Sequence, residues 1–282
     1  MRSRSRRPLT AALLCLAVFL VGGRPARVQG QVAIETCEDW VAGAPVRCDA
    51  AFPQGVPWLT YVFRGIPAGR YTLQRNSATF TGSPLIVAVG GSVAHFALTN
   101  GRRSLLPAEE YTVTLRDQAS GRVVAQGRYA LTSQSSREAL AAWQGKPGNF
   151  AVLGAALATW RLNDSGKALE QARAITAAGQ WTVGLIFAYT LIYEIAMGGR
   201  DYPAAVQAVE SLMRARRAAY AARQETVPEQ PVEYEWLVRG QVAACRLDAA
   251  RATLAEGLRA FPNNRGLVAL TGQIERARAS CP

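Results

Sequence analysis

Residues 232–264 read VEYEWLVRGQVAACRLDAARATLAEGLRAFPNN, and their reading decides the architecture of the second half of the chain. The stretch is rich in Ala, Leu, Arg and Glu, breaks once near Arg246-Leu247-Asp248, and stops at Pro262-Asn263-Asn264. It reads as two helices joined by a tight turn and closed by residues that end a helix. Two upstream stretches lie over it: residues 149–178 turn near Asn163-Asp164, and residues 181–214 turn at Gly199-Arg200-Asp201-Tyr202. After each turn a small residue recurs at the same offset, Ala168, Ala205 and Ala250, where it lets the helices of a hairpin approach closely.

The three segments resemble tetratricopeptide repeats. In the third, Tyr234, Leu237, Ala250, Leu254 and Pro262-Asn263-Asn264 fall where that family places an aromatic, a Leu, a small residue, a bulky apolar residue and a Pro-Asn end. Val238 stands where the family has Gly, Gly257 where it has Ala, and the first segment lacks the Pro ending. The resemblance implies an α-α superhelix over residues 133–282, capped by a helix at 267–278, with a concave face suited to an extended segment. Residues 181–197 are almost wholly apolar, with Glu194 the only charge. Their repeat register, running into Asp201-Tyr202-Pro203, reads as a helix buried all round in the stack and not as a membrane span.

Before Ser133 the composition shifts to Thr, Val, Tyr, Gly and Pro in short runs. Tyr111, Val113 and Leu115 alternate with Thr112, Thr114 and Arg116, the period of a half-buried strand. Further strands are predicted at 46–52, 58–64, 70–74, 85–89, 92–98 and 123–131, with Gly90-Gly91 as a two-residue hairpin turn. Seven short strands in about a hundred residues predict an immunoglobulin-like β-sandwich over residues 31–132. The run Leu105-Leu106-Pro107-Ala108-Glu109-Glu110-Tyr111 resembles the tyrosine corner of fibronectin type III domains. Pro67-Ala68-Gly69-Arg70-Tyr71-Thr72 echoes it, within a stretch from Ile66 to Leu73 that also resembles carboxypeptidase-regulatory-like modules. The resemblance implies structural roles for Tyr71 and Tyr111, with the corner hydroxyl bonded back to backbone.

Residues 1–30 read as a signal peptide. Arg2, Arg4, Arg6 and Arg7 precede an apolar run from Leu9 to Val21, and Val28 and Gly30 offer small residues before a cleavage site at Gln31. Export to the periplasm or extracellular space follows, with no stable membrane span after cleavage. The formal charge of +12 falls to +6 once the six leader arginines are set aside, leaving 26 basic against 20 acidic residues. The remaining charge is scattered, which argues against nucleic acid as a partner. Arg214, Arg216, Arg217 and Arg223 form its densest cluster and read as a solvated face.

Four cysteines follow the leader: Cys37, Cys48, Cys245 and Cys281. An even number in an exported chain predicts pairing, and the domain split selects Cys37 with Cys48, closing the first loop of the sandwich, and Cys245 with Cys281. Parallel first helices about 9 Å apart leave roughly 4–5 Å between facing Cα atoms, within the disulfide window.

His95 is the only histidine, and no Cys-x-x-Cys pair exists, so neither a metal nor a cofactor is expected. His95 is placed on the polar side of a strand, and the acid pairs Glu38-Asp39, Glu109-Glu110 and Glu233/Glu235 suggest no acid–base couple. No catalytic residue is assigned. The expected function is an exported, non-catalytic scaffold whose helical repeats bind a protein or peptide partner of the cell envelope. The alternative is a glycan- or cell-surface-binding module in the sandwich, with Trp40 and Trp58 as stacking residues.

Overall fold

The computed structural model describes residues 32–41, 44–82, 84–90, 93–100, 103–225 and 227–281, so the expected leader lies outside the described residues. Among the described residues two β-sheets come first and eight helices follow. The strands are β1 (Ala33–Val41), β2 (Ala44–Cys48), β3 (Ala51–Pro53), β4 (Trp58–Arg64), β5 (Gly69–Asn76), β6 (Leu85–Val89), β7 (Val93–Thr99), β8 (Glu110–Asp117) and β9 (Val123–Thr132). One sheet runs β2-β1-β4-β7 and the other β3-β9-β8-β5-β6. Among the described residues only the β3–β9 pairing is parallel.

Alternation on β5 and β8 sends Tyr71, Leu73, Tyr111, Val113 and Leu115 into the same core as Leu59, Tyr61 and Phe63 of β4. Tyr111 and Tyr129 are register partners whose rings stack 5.3 Å apart. Tyr71 donates its hydroxyl to the Pro67 carbonyl at 2.8 Å, and Tyr111 to the Pro107 carbonyl at 3.0 Å. Each bond pins the loop that feeds its own strand.

Three expectations for this half need correction. Residues 46–52 are not one strand, because β2 and β3 belong to different sheets and the backbone passes from one to the other between them. The stretch between Cys37 and Cys48 is a strand pair in place of a loop, with those two residues as register partners and their Cα atoms 3.9 Å apart. The predicted hairpin after β6 does not form either. β6 pairs with β5 while β7 pairs with β4, in the other sheet, and Gly91 lies outside the described residues. A glycine-rich link has the same composition whether it turns back or crosses over.

The helices are α1 (Ser136–Trp143), α2 (Asn149–Arg161), α3 (Ser165–Ala177), α4 (Val183–Gly198), α5 (Tyr202–Ala221), α6 (Pro231–Ala243), α7 (Leu247–Ala260) and α8 (Arg265–Ala277). α1 precedes the expected repeats. It starts where Ser135 and Glu138 bond each other's backbone N–H groups reciprocally. The α2–α3, α4–α5 and α6–α7 turns then close in one way. Asn163, Arg200 and Cys245 take left-handed φ values of 70°, 61° and 55°. Their N–H groups bind the carbonyls of Trp160, Met197 and Val242, and the next N–H in each turn reaches Thr159, Ala196 or Gln241. This double closure satisfies helix-end carbonyls that would otherwise lack donors. Asp164 and Asp201 then cap the following helices, and Ala168, Ala205 and Ala250 are fully buried at the same offset.

α4 is buried on nearly every side, and among the described residues no helix is long and apolar enough to cross a membrane. Cys245 and Cys281 are bonded with Cα atoms 5.3 Å apart, tying the turn after α6 to the end of α8. With separations of 11 and 36 residues, the two cystines would restrict the unfolded chain by about 3 and about 4 kcal/mol on the loop-entropy account.

The sheet and helical halves form one compact unit. Trp58 on β4 is 2% exposed and belongs to the helical core, edge-on to Phe150 at 4.5 Å and 5.7 Å from Phe187. Trp143 donates Nε1 to the Gly55 carbonyl at 3.1 Å, while the Gly55 N–H donates to Gln134 Oε1 at 2.9 Å. A Cβ at Gly55 would stand 2.3 Å from Gln134 and 2.5 Å from Ala139, so the junction requires glycine there. Elsewhere the Gln230 carboxamide accepts the Ile86 N–H at 3.4 Å and donates to the Ile86 carbonyl at 2.9 Å. β6 is an edge strand, and this pair satisfies backbone groups that an edge leaves open.

Candidate binding cleft

Between the sheet half and the helices lies a cleft of about 990 Å³. Three half-buried tryptophans line it, each held by a neighbour. Trp40 at the end of β1 stacks on His95 of β7 at 4.4 Å with the rings 9° from parallel. Trp236 of α6 stacks on Tyr193 of α4 at 5.6 Å. Trp181, just before α4, lies 5.3 Å from the Arg216 guanidinium. Rings fixed in this way present apolar area at little cost in side-chain entropy.

Arg216 corrects the solvated-face reading of its cluster. It is 6% exposed and donates from Nε to Glu233 at 2.7 Å and from Nη1 to Glu225 at 2.9 Å. The other oxygen of Glu233 accepts the Gln230 N–H at 3.1 Å. Its neighbour Arg217 is turned about 100° around the helix and meets Glu229 and Glu256 at the surface. Both arginines look alike in sequence, and only the packing of α5 against α6 separates them.

Five carboxylates line the cleft: Asp39, Glu194, Glu225, Glu233 and Glu235. Asp39 accepts Trp58 Nε1 at 3.1 Å, Arg216 holds Glu225 and Glu233, and Arg239 lies 3.5 Å from Glu235. The other predicted acid pairs part company. Glu38 meets Arg47 at 2.8 Å, and Glu109 lies outside the cleft, accepting from Ser77 and Thr79. Neither cystine lines the cleft.

Both predicted stacking residues line the cleft, Trp40 half-buried in its wall and Trp58 2% exposed with its ring packed into the helical core. Arg75, Trp181 and Trp236 also line it and were not singled out from sequence. Arg75 had a readable signal, an arginine in phase with the core-facing Tyr71 and Leu73 of β5.

Burial is the largest influence on Asp39, Glu233 and Glu235 and pushes each carboxyl above its ordinary range. A raised native pKa means that the folded protein takes up protons more readily than the unfolded one. Stability from these groups therefore rises as pH falls towards the ordinary carboxylate range, about 4. His95 works the other way, because Trp40 covers one face of its ring and partial burial lowers its pKa. In a His95→Asn variant the unfolding midpoint is expected to hold or rise between pH 7 and about 5. A steady fall over that interval would show that the carboxyls held below their ordinary range, Glu109, Asp117 and Glu138, outweigh Asp39, Glu233 and Glu235.

No protein-family model matches this sequence, and no curated protein matches it.

Proposed function

We propose that the protein is an exported, non-catalytic binding protein that holds an extended segment of a cell-envelope protein in the cleft. The observation that carries this reading is the cleft itself, with three fixed tryptophans and charged side chains spaced between them. The helical half is read as a tetratricopeptide-like array, supported by the common turn at Asn163, Arg200 and Cys245. The sheet half is read as an immunoglobulin-like module, supported by the two tyrosine-to-proline-carbonyl bonds. Two cystines suit an oxidising compartment. Because the sheet half packs against the helices at Trp58, a ligand reaches the array through the cleft.

A photoreactive phenylalanine analogue placed at Trp236 in the exported protein, within its native cells, tests the reading. The expected result is one recurring polypeptide, cross-linked through a single extended segment and not captured from the same analogue at the exposed Val123 on β9. Identical adducts from both positions would remove the proposal. The second reading, glycan binding, keeps one observation in its favour, the fixed Trp40 ring in the cleft wall. Polysaccharide retention abolished by Trp40→Ala in a folded variant would favour it.

A further inference from the structure

The wall of the cleft carries a buried positive charge. Arg75 lines the cleft, is 4% exposed, and shares the inward phase of Tyr71 and Leu73. Its bonds all go to neutral acceptors: Nη1 to Asn100 Oδ1 at 3.4 Å and to the Tyr129 hydroxyl at 3.3 Å, and Nη2 to the Thr99 carbonyl at 3.2 Å. These are long for a charged donor, whose bonds to carboxylate run about 2.7–2.9 Å. Among the described residues Nε has no hydrogen-bond partner, and no carboxylate pairs with this guanidinium. Phe80, whose ring centre is 5.5 Å from it, lines the same part of the cleft.

Two more arginines approach this corner. Arg161 donates to the Asn100 carbonyl at 3.4 Å, and burial pushes its guanidinium down to about 10. Arg103, another lining residue, donates to Asn163 Oδ1 at 3.2 Å. A buried cation without a counter-charge is costly, and proteins hold one where it is paired or used. A guanidinium that lines the cleft and meets no carboxylate there offers planar N–H groups that match the geometry of a carboxylate.

We propose that this part of the cleft binds a carboxylate of the ligand, received by Arg75 and attracted at longer range by Arg103. The inference rests on the reading of the cleft as a polypeptide site and names the group that anchors the segment. The α-carboxylate at a peptide's end and the side chain of an Asp or Glu supply the same chemistry.

The test uses fluorescent octapeptide pools titrated against the full exported protein, each made as free acid and as C-terminal amide, with and without an internal acidic residue. Acids are expected to bind about tenfold or more tightly than amides lacking an internal acid, as loss of a charged hydrogen bond predicts. Bound peptide is also expected to shift the nitrogen-15 signal of Arg75 Nε, assigned by its absence in Arg75→Lys. Amides with an internal acid that bind as tightly as free acids would support the side-chain form of the site. The acid–amide comparison uses the unsubstituted protein and so does not depend on the folding of the variant. Equal affinity of acids and acid-free amides, or binding that leaves the Nε signal unmoved, overturns the carboxylate site and leaves the peptide reading standing. No binding by any pool overturns both.

Discussion

Replacing Trp58 by Ala is expected to cost about 3–5 kcal/mol, the range for deleting a buried Trp, and to split one unfolding transition into two. Trp58 leaves β4 and enters the helical core, touching Phe150 and Phe187, while its Nε1 binds Asp39 on β1. Truncation removes aromatic contacts across the junction and also takes the donor from a carboxylate whose burial already disfavours its charge. Trp160→Ala is the control. Trp160 is 4% exposed within the helical core, so its loss should cost a similar amount without uncoupling the halves. Calorimetry, with far-ultraviolet helical signal followed beside tyrosine absorbance, separates the cases. A single coincident transition in Trp58→Ala would show that other contacts, such as Trp143 with Gly55, are enough to couple the halves.

Arg216→Met should be nearly as damaging, with an expected loss of about 3–5 kcal/mol for an ion pair broken on one side. At roughly 2–4 °C per kcal/mol for a protein of this size, the midpoint would fall by about 10 °C. The substitution strands Glu233, 1% exposed, next to Glu225 with the shared cation gone. Burial already holds Glu233 above its ordinary range, and losing Arg216 raises it further. The folded form then gains stability as pH falls through that raised value, so the deficit should shrink on acidification. Arg216→Met combined with Glu233→Leu should recover much of the loss at neutral pH, since a buried pair replaced by apolar groups is often neutral. A deficit independent of pH, unrepaired in the double variant, would point to lost packing on Trp181 as the cause.

Much of the helical half is legible in sequence because its signals are local. The turns at Asn163, Arg200 and Cys245 are closed by carbonyls three and five residues back, and Asp164 and Asp201 cap helices that begin at the next residue. The strand at 111–116 is legible for the same reason, its alternation being set by the pleat. β4 forms at the predicted residues 58–64, but its surroundings are not legible. It shows no alternation in burial, because Leu59, Tyr61 and Phe63 enter the sheet core while Trp58 enters the helical one.

The cleft is legible only in fragments. Trp40 stands out as an aromatic, yet its position in a wall depends on β7 bringing His95 beneath it. Arg216 and Arg217 are adjacent and chemically identical, and the packing of α6 buries one and leaves the other at the surface.

By itself, then, the order of residues determined where helical hairpins turn, which helices are capped and which faces are apolar, since each depends on atoms a few positions apart. Tertiary structure alone decided which sheet β2, β3, β6 and β7 join, that Gln230 closes the edge at Ile86 from 144 residues away, and that Arg75 lies buried at a cleft. Those outcomes depend on which surfaces come to face each other, and a residue's own neighbours in sequence hold no record of that.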